Sequence, residues 1–168
     1  TVTTDSSGKA TLSSLPIYQS DGTTKINYTV SEINVPGRYT VPGSQTVQLT
    51  NGTTTVNFTN ALKRGALAVQ KTSDDNLNQG RTFKVTGSNG YSGTMTTDST
   101  GKATLSNLPV YDSQNRLIQY TITETGTPDR YIIPEPVTVT LETGKTITAN
   151  FRNSLKRGTL AVRKTSDD

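Results

Sequence analysis

Residues 62–75 read LKRGALAVQKTSDD and residues 155–168 read LKRGTLAVRKTSDD, identical at 12 of 14 positions. Inside each copy, Leu, Val and Lys recur at every second position, the period of a strand with one buried face rather than of a helix. The rest of the chain falls into the frame that this pair sets. Residues 3–16 (TTDSSGKATLSSLP) and 96–109 (TTDSTGKATLSNLP) also agree at 12 of 14 positions, and both pairs are offset by 93 residues. INYTVSEINVPGRY at 26–39 answers IQYTITETGTPDRY at 118–131, offset by 92 because one loop is a residue shorter. Such self-similarity is the mark of a modular array. It predicts one complete module over 65–157, a module lacking its first third over 1–64, and the first strand of a third module over 158–168. Ends that fall inside modules read as those of a piece of a longer run.

Within the complete module the alternation predicts strands near 67–71, 82–87, 93–97, 102–105, 117–124, 137–141 and 146–153. They are separated by Gly-, Asn- and Asp-rich turns at 78–80, 88–91, 98–101, 112–115 and 143–144. No stretch keeps helical periodicity over three turns. Seven short strands in about 90 residues predict an all-β, Greek-key β-sandwich. The linker LKRG is short, so neighbouring repeats of the chain are expected to stack end to end.

Composition removes several functions. Hydrophobic residues make up 30% of the chain, with no Trp and one Met; Thr-rich strands that open one face to water account for this. There is no Cys and no His, so disulfides, thiolate nucleophiles, the usual general base and the commonest metal ligands are missing. No cofactor and no metal is expected. The Asp74, Asp75, Asn76 turn fits no calcium-loop spacing and reads as ordinary turn chemistry. The net charge of +4 is scattered, without the basic, aromatic-studded face that nucleic acid requires. No apolar run reaches membrane-spanning length.

The same alternation puts three polar residues on inward faces. Leu67 and Val69 share a face that Lys71 continues. Tyr120 and Ile122 share one that Glu124 continues. In the last strand Ile147 and, after a local irregularity, Phe151 point inward, followed by Asn153. The partial module repeats Glu32 and Asn60, and the tail repeats Lys164. Singly, each reads as a strand-end residue reaching water. Together they form the set for one reaction, amide formation between a lysine amine and an asparagine carboxamide. The amine must be neutral to attack, which an apolar setting favours, and a buried carboxylic acid can give a hydrogen bond and then shuttle protons.

LAVQKTSDD, TTDSTGKATLSNLPVYD, QYTITETGTPDRY and NFRN together resemble the Cna B-type module of Gram-positive surface adhesins and pili, the family that also includes SpaA-like pilin domains. The resemblance covers all of 65–157, and INYTVSEINVPGRYTV extends it into the first module. It implies a transthyretin/Ig-like sandwich with a Lys71–Asn153 isopeptide bond between first and last strands, assisted by Glu124. Asn150 is the nearby competitor for the bond, and alternation points it outward. The implied protein is a cell-wall-attached, extracellular stalk or spacer, not an enzyme beyond one turnover on itself. Two questions stay open. Lys164 of one molecule is expected either to meet Asn60 and Glu32 of the next, joining 158–168 to 1–64 head to tail, or to sit in a frayed terminus. The competing function is an adhesive module that binds host protein or glycan through loops such as 112–116. Tyr91, Tyr111 and Tyr131 read as residues of the sandwich rim.

Overall fold

The computed structural model describes residues 1–167 as two compact units, Thr1–Val35 with Tyr39–Ala61, and Pro36–Arg38 with the chain from Leu62 onward. The strands in order are β1 (Asn27–Val30), β2 (Tyr39–Thr40), β3 (Gln45–Gln48), β4 (Ala61–Leu62), β5 (Arg64–Ser73), β6 (Thr82–Gly87), β7 (Ser92–Thr96), β8 (Lys102–Pro109), β9 (Gln119–Thr125), β10 (Tyr131–Ile132), β11 (Val137–Thr140) and β12 (Thr146–Leu155). Among the described residues no helix forms, and the all-β expectation holds.

The second unit is a sandwich of two four-stranded sheets, ordered β10-β12-β5-β8 and β11-β9-β6-β7. All seven expected strands are present. β5 and β12, first and last, run parallel side by side from Thr146 opposite Ala66 to Asn153 opposite Ser73. Every other pairing in the sandwich is antiparallel. The inward faces are apolar by alternation: Leu67 and Val69 from β5, Phe83 and Val85 from β6, Tyr120 and Ile122 from β9, and Phe151 from β12 are all at most 1% exposed. Tyr91, Leu105, Tyr111, Val137, Val139 and Ile147 pack around that cluster.

Two expectations need correction. β12 has no irregularity: its register with β5 is unbroken, and Ala149, buried among the larger residues, takes the inward position between Ile147 and Phe151. Tyr131 is no rim residue; it is 1% exposed and belongs to β10, which pairs with the end of β12 through Leu155 and Ser154. A strand of two residues offers no period to read.

The first unit pairs β1 with β3, antiparallel, with Tyr28 opposite Val47. It repeats local details of the second. The Tyr28 hydroxyl donates to Pro16 O (2.8 Å) as Tyr120 donates to Pro109 O (2.7 Å). Thr29 and Thr46 meet through their hydroxyls at 2.9 Å, as do Thr121 and Thr138. Asp5 caps the backbone N–H groups of Ser7 and Lys9 just as Asp98 caps those of Thr100 and Lys102. Yet 102–109 is a strand paired with β5, whereas the matching residues 9–16 form none. The turn is local and survives; the strand needs its neighbour.

The tail makes the same point. Residues 156–167 form no strand, although they carry nearly the sequence of β5. Leu160 and Val162 are 90% and 87% exposed, where Leu67 and Val69 are sealed. Truncating Phe83 to Ala should therefore cost about 3–5 kcal/mol, read from denaturant unfolding, while Leu160→Ala should change stability by no more than about 0.5 kcal/mol.

Candidate functional site

The parallel register positions the site. Lys71 lies opposite Phe151, and Asn153 lies opposite Ser73. Lys71 and Asn153 are thus one same-face step apart on neighbouring strands, both turned into the sandwich. Glu124 reaches Asn153 from the other sheet, where its register partner is Phe83. Phe83 and Phe151 pack at 4.9 Å between ring centroids, closing the core side. A glycine fixes the backbone beneath the lysine. Gly101 has φ +75°, its carbonyl accepts from Lys71 N at 2.7 Å, and a Cβ there would stand 2.4 Å from Lys71 O.

Lys71 and Asn153 are 0% exposed and Glu124 is 5% exposed. Asn153 Nδ2 donates to Glu124 Oε1 at 2.9 Å. The Lys71 amine donates to Thr72 O at 2.5 Å. Glu124 Oε2 and Asn153 Oδ1 are buried without a hydrogen-bond partner, an expensive arrangement that a purely structural core would be expected to avoid. Burial draws the Lys71 amine below its ordinary value of 10.5; Glu124 opposes this, Arg81 adds to it, and Asp75 opposes it. Desolvation outweighs the carboxylates, so the neutral amine is favoured relative to water. Asn150 lies on the exposed face of β12, away from this group.

The first unit holds the same pair. Asn60 Nδ2 donates to Glu32 Oε1 at 2.7 Å, and again Glu32 Oε2 and Asn60 Oδ1 are buried without partners. The third member of that set, Lys164, is exposed in the strandless tail.

Sequence reasoning missed the layer beyond Lys71. The Tyr131 hydroxyl donates to the Asp75 carboxylate (2.9 and 2.7 Å) and accepts from Arg130 (2.7 Å) and Arg81 (3.3 Å). Asp74 is committed as well, to the backbone N–H of Leu155 and to Arg152. Among the described residues no group of three or more acidic side chains could hold a metal ion, and no helix is long and apolar enough to cross a membrane.

Comparison with known proteins places these features in a family. Residues 65–155 match the SpaA model, described as a prealbumin-like fold domain, and residues 1–60 match the model of the Cna protein B-type domain. The resemblance drawn from the motifs is thereby borne out, with residues 65–155 on the SpaA side. No curated protein matches. Among solved structures, the Bacillus anthracis TIE protein is 25% identical with a TM-score of 0.66, over 92% of this chain and 28% of that one. GBS52, a minor pilin of the Gram-positive pathogen Streptococcus agalactiae, is 19% identical with a TM-score of 0.49, over 97% and 71%. BcpA, the major pilin subunit of Bacillus cereus, is 18% identical with a TM-score of 0.45, over 68% and 34%. The chain thus spans little more than a quarter of the TIE protein.

The buried amine carries a pH signature. With Asn153→Ala, Lys71 has no carboxamide beside it and stays free. Its folded value lies below the unfolded value of 10.5, so between the two the unfolded chain holds a proton that the folded chain has released, and stability rises with pH. Urea midpoints of Asn153→Ala should rise as pH is raised toward 9.5, and adding Lys71→Met should flatten that rise. The range stops below pH 10 because Tyr120, pushed up to about 12 by burial, pulls stability the other way above its ordinary value.

Proposed function

This chain belongs to the SpaA family of prealbumin-like fold domains, and on that premise we propose that it is a load-bearing spacer of a cell-wall-attached, extracellular adhesin or pilus-like protein. Each complete module seals itself with a Lys–Asn isopeptide bond. The observation that carries this reading is the burial of Lys71, Glu124 and Asn153 on first strand, opposite sheet and last strand, with Asn153 bonded to Glu124 and an unpartnered oxygen on each of those two.

The chemistry balances without a cofactor. The neutral Lys71 Nζ attacks Asn153 Cγ, and negative charge develops on Asn153 Oδ1. Glu124, already bonded to Asn153 Nδ2, takes the surplus proton from the attacking nitrogen and delivers it to Nδ2. The Cγ–Nδ2 bond breaks, ammonia leaves, and the Nζ–Cγ amide remains. The site acts once on its own chain, so the protein is not a turnover enzyme.

The bond closes a loop of roughly 80 residues, which by analogy with disulfide loop closure contributes about 4–5 kcal/mol. Its mechanical effect is larger. Tension entering β5 at Arg64 runs along that strand to Lys71, crosses to Asn153 and leaves at Leu155. Residues 72–152 are bypassed, so the core need not open under load. Such a cross-link also supplies the staple that a small core without cysteines lacks.

A second reading concerns assembly. The Glu32–Asn60 pair of the first unit and the exposed tail with Lys164, Leu160 and Val162 support head-to-tail joining, in which the tail of one molecule adds a strand to the first unit of another. That contact does not close on itself and builds chains. Direct adhesion through the 112–116 loop has less behind it. The hollow there is lined by polar residues, and Arg116 is tied to Asp112 at 2.8 Å.

Pulled from its ends, the wild-type chain should show no release of the bonded loop, whereas Glu124→Ala should release roughly 280 Å of extra contour from about 80 residues. Equal contour lengths would contradict the spacer reading. Head-to-tail joining predicts ladders that survive boiling in denaturant and vanish with Lys164→Ala; a single monomer band would remove it.

A further inference from the structure

Beyond Lys71, Glu124 and Asn153 a charged cluster gathers around the buried Tyr131, with Arg81 and Asp75 half-buried and Arg130 exposed. Arg81 lies two residues before Phe83, the register partner of Glu124. Asp75 lies two residues past the inward Ser73. Tyr131 is opposite Leu155, two residues past Asn153. Of the elements that carry the site, β5 runs on into the turn that holds Asp75, and β12 pairs with the strand that holds Tyr131. There the buried Tyr131 hydroxyl ties Asp75, Arg130 and Arg81 together, and Arg81 Nε is pinned to Leu77 O at 3.1 Å. Both guanidinium groups also lie against the Tyr131 ring, at 5.4 Å for Arg81 and 4.7 Å for Arg130. Arg130 is further paired with Asp75 at 3.1 Å.

We propose that the Arg81–Tyr131–Asp75–Arg130 cluster is a positioning device for the bond-forming reaction, holding the charges of Arg81 and Asp75 in fixed places at the end of the sandwich where β5 carries Lys71. The inference rests on the isopeptide reading and deepens it. Three charged groups act on the amine electrostatically: Glu124 from β9, Arg81 from the approach to β6, and Asp75 from the turn after β5. Asn153 from β12 is neutral. Glu124 must stay as the proton carrier, and its charge stabilises an ammonium that cannot attack. Arg81 acts against that ammonium and so favours the nucleophile. Asp75 would cancel Arg81, but the Tyr131 hydroxyl and Arg130 engage its carboxylate. The Tyr131 hydrogen bond is the main reason that Asp75 is drawn down to about 2. The Tyr131 hydroxyl thus bridges the two charges, accepting from Arg81 and donating to Asp75.

The two charges predict opposite effects, which a merely structural cluster would not produce. The full chain is made in a brief cell-free pulse, moved into buffers from pH 5.5 to 9, quenched in denaturant and weighed over time, so that loss of ammonia reports bond formation. Arg81→Gln should slow the reaction several-fold at pH 7 and recover toward wild type at pH 9, because more of the amine is then neutral. Asp75→Asn should speed it at pH 7. Arg81→Lys, which keeps the charge, should stay near wild type. In a Tyr131→Phe background the Arg81→Gln effect should shrink, as expected for coupled residues.

Arg81→Gln and Asp75→Asn profiles that overlie the wild type or move in the same direction would overturn the proposal, as would slowing by Arg81→Gln at every pH without recovery. A wild-type chain that loses no ammonia at any pH would fail differently, by removing the bond itself.

Discussion

The parallel pairing of β5 with β12 is the constraint on which the second unit depends. It joins the first strand of the module to the last, so it can form only when the chain between them has come together. Contacts of such long sequence separation are expensive in loop entropy and reward the chain late. The same pairing sets Lys71 one step from Asn153, and the facing sheet brings Glu124 onto Asn153. A slip of one residue in this register would turn Lys71 and Asn153 to opposite faces. Unbroken alternation along β12, with Ala149 filling its place, is what keeps them on one.

Near-identical sequence with different neighbours shows how far local propensity reaches. The Asp–Gly turn at 5–8 keeps the capping bonds of the turn at 98–101, because a carboxylate and two adjacent N–H groups need nothing else. Residues 9–16 nevertheless form no strand where 102–109 do, and 156–167 form none where β5 does. Strand propensity in these segments is realised only against a partner. In the second unit the first and last strands complete each other.

The sequence made the strands and the inward polar residues legible because both follow from a period of two. Lys71, Glu124 and Asn153 each continue an apolar face, and all three are buried in the sandwich. The small inward residue of β12 was not legible, since an alanine between Ile147 and Phe151 looks like a break in the pattern. The layer around Tyr131 was hidden for another reason. Its members sit at 75, 81, 130 and 131, in a turn, a strand approach and a two-residue strand, and only tertiary pairing collects them. The direction of the β5–β12 pairing was likewise invisible to alternation, which says which face a residue takes and nothing of which strand lies beside it.

The proposed seal between the end strands would give a modest core and a chain without cysteines a covalent path that carries load around the core rather than through it. Peptide mapping tests that picture most directly. Trypsin digestion of the denatured wild-type chain is predicted to leave Lys71 uncut and to yield one branched peptide joining Lys71 to Asn153, lighter by one ammonia, about 17 Da. Cleavage after Lys71, with linear peptides of unmodified mass on both sides, would contradict it.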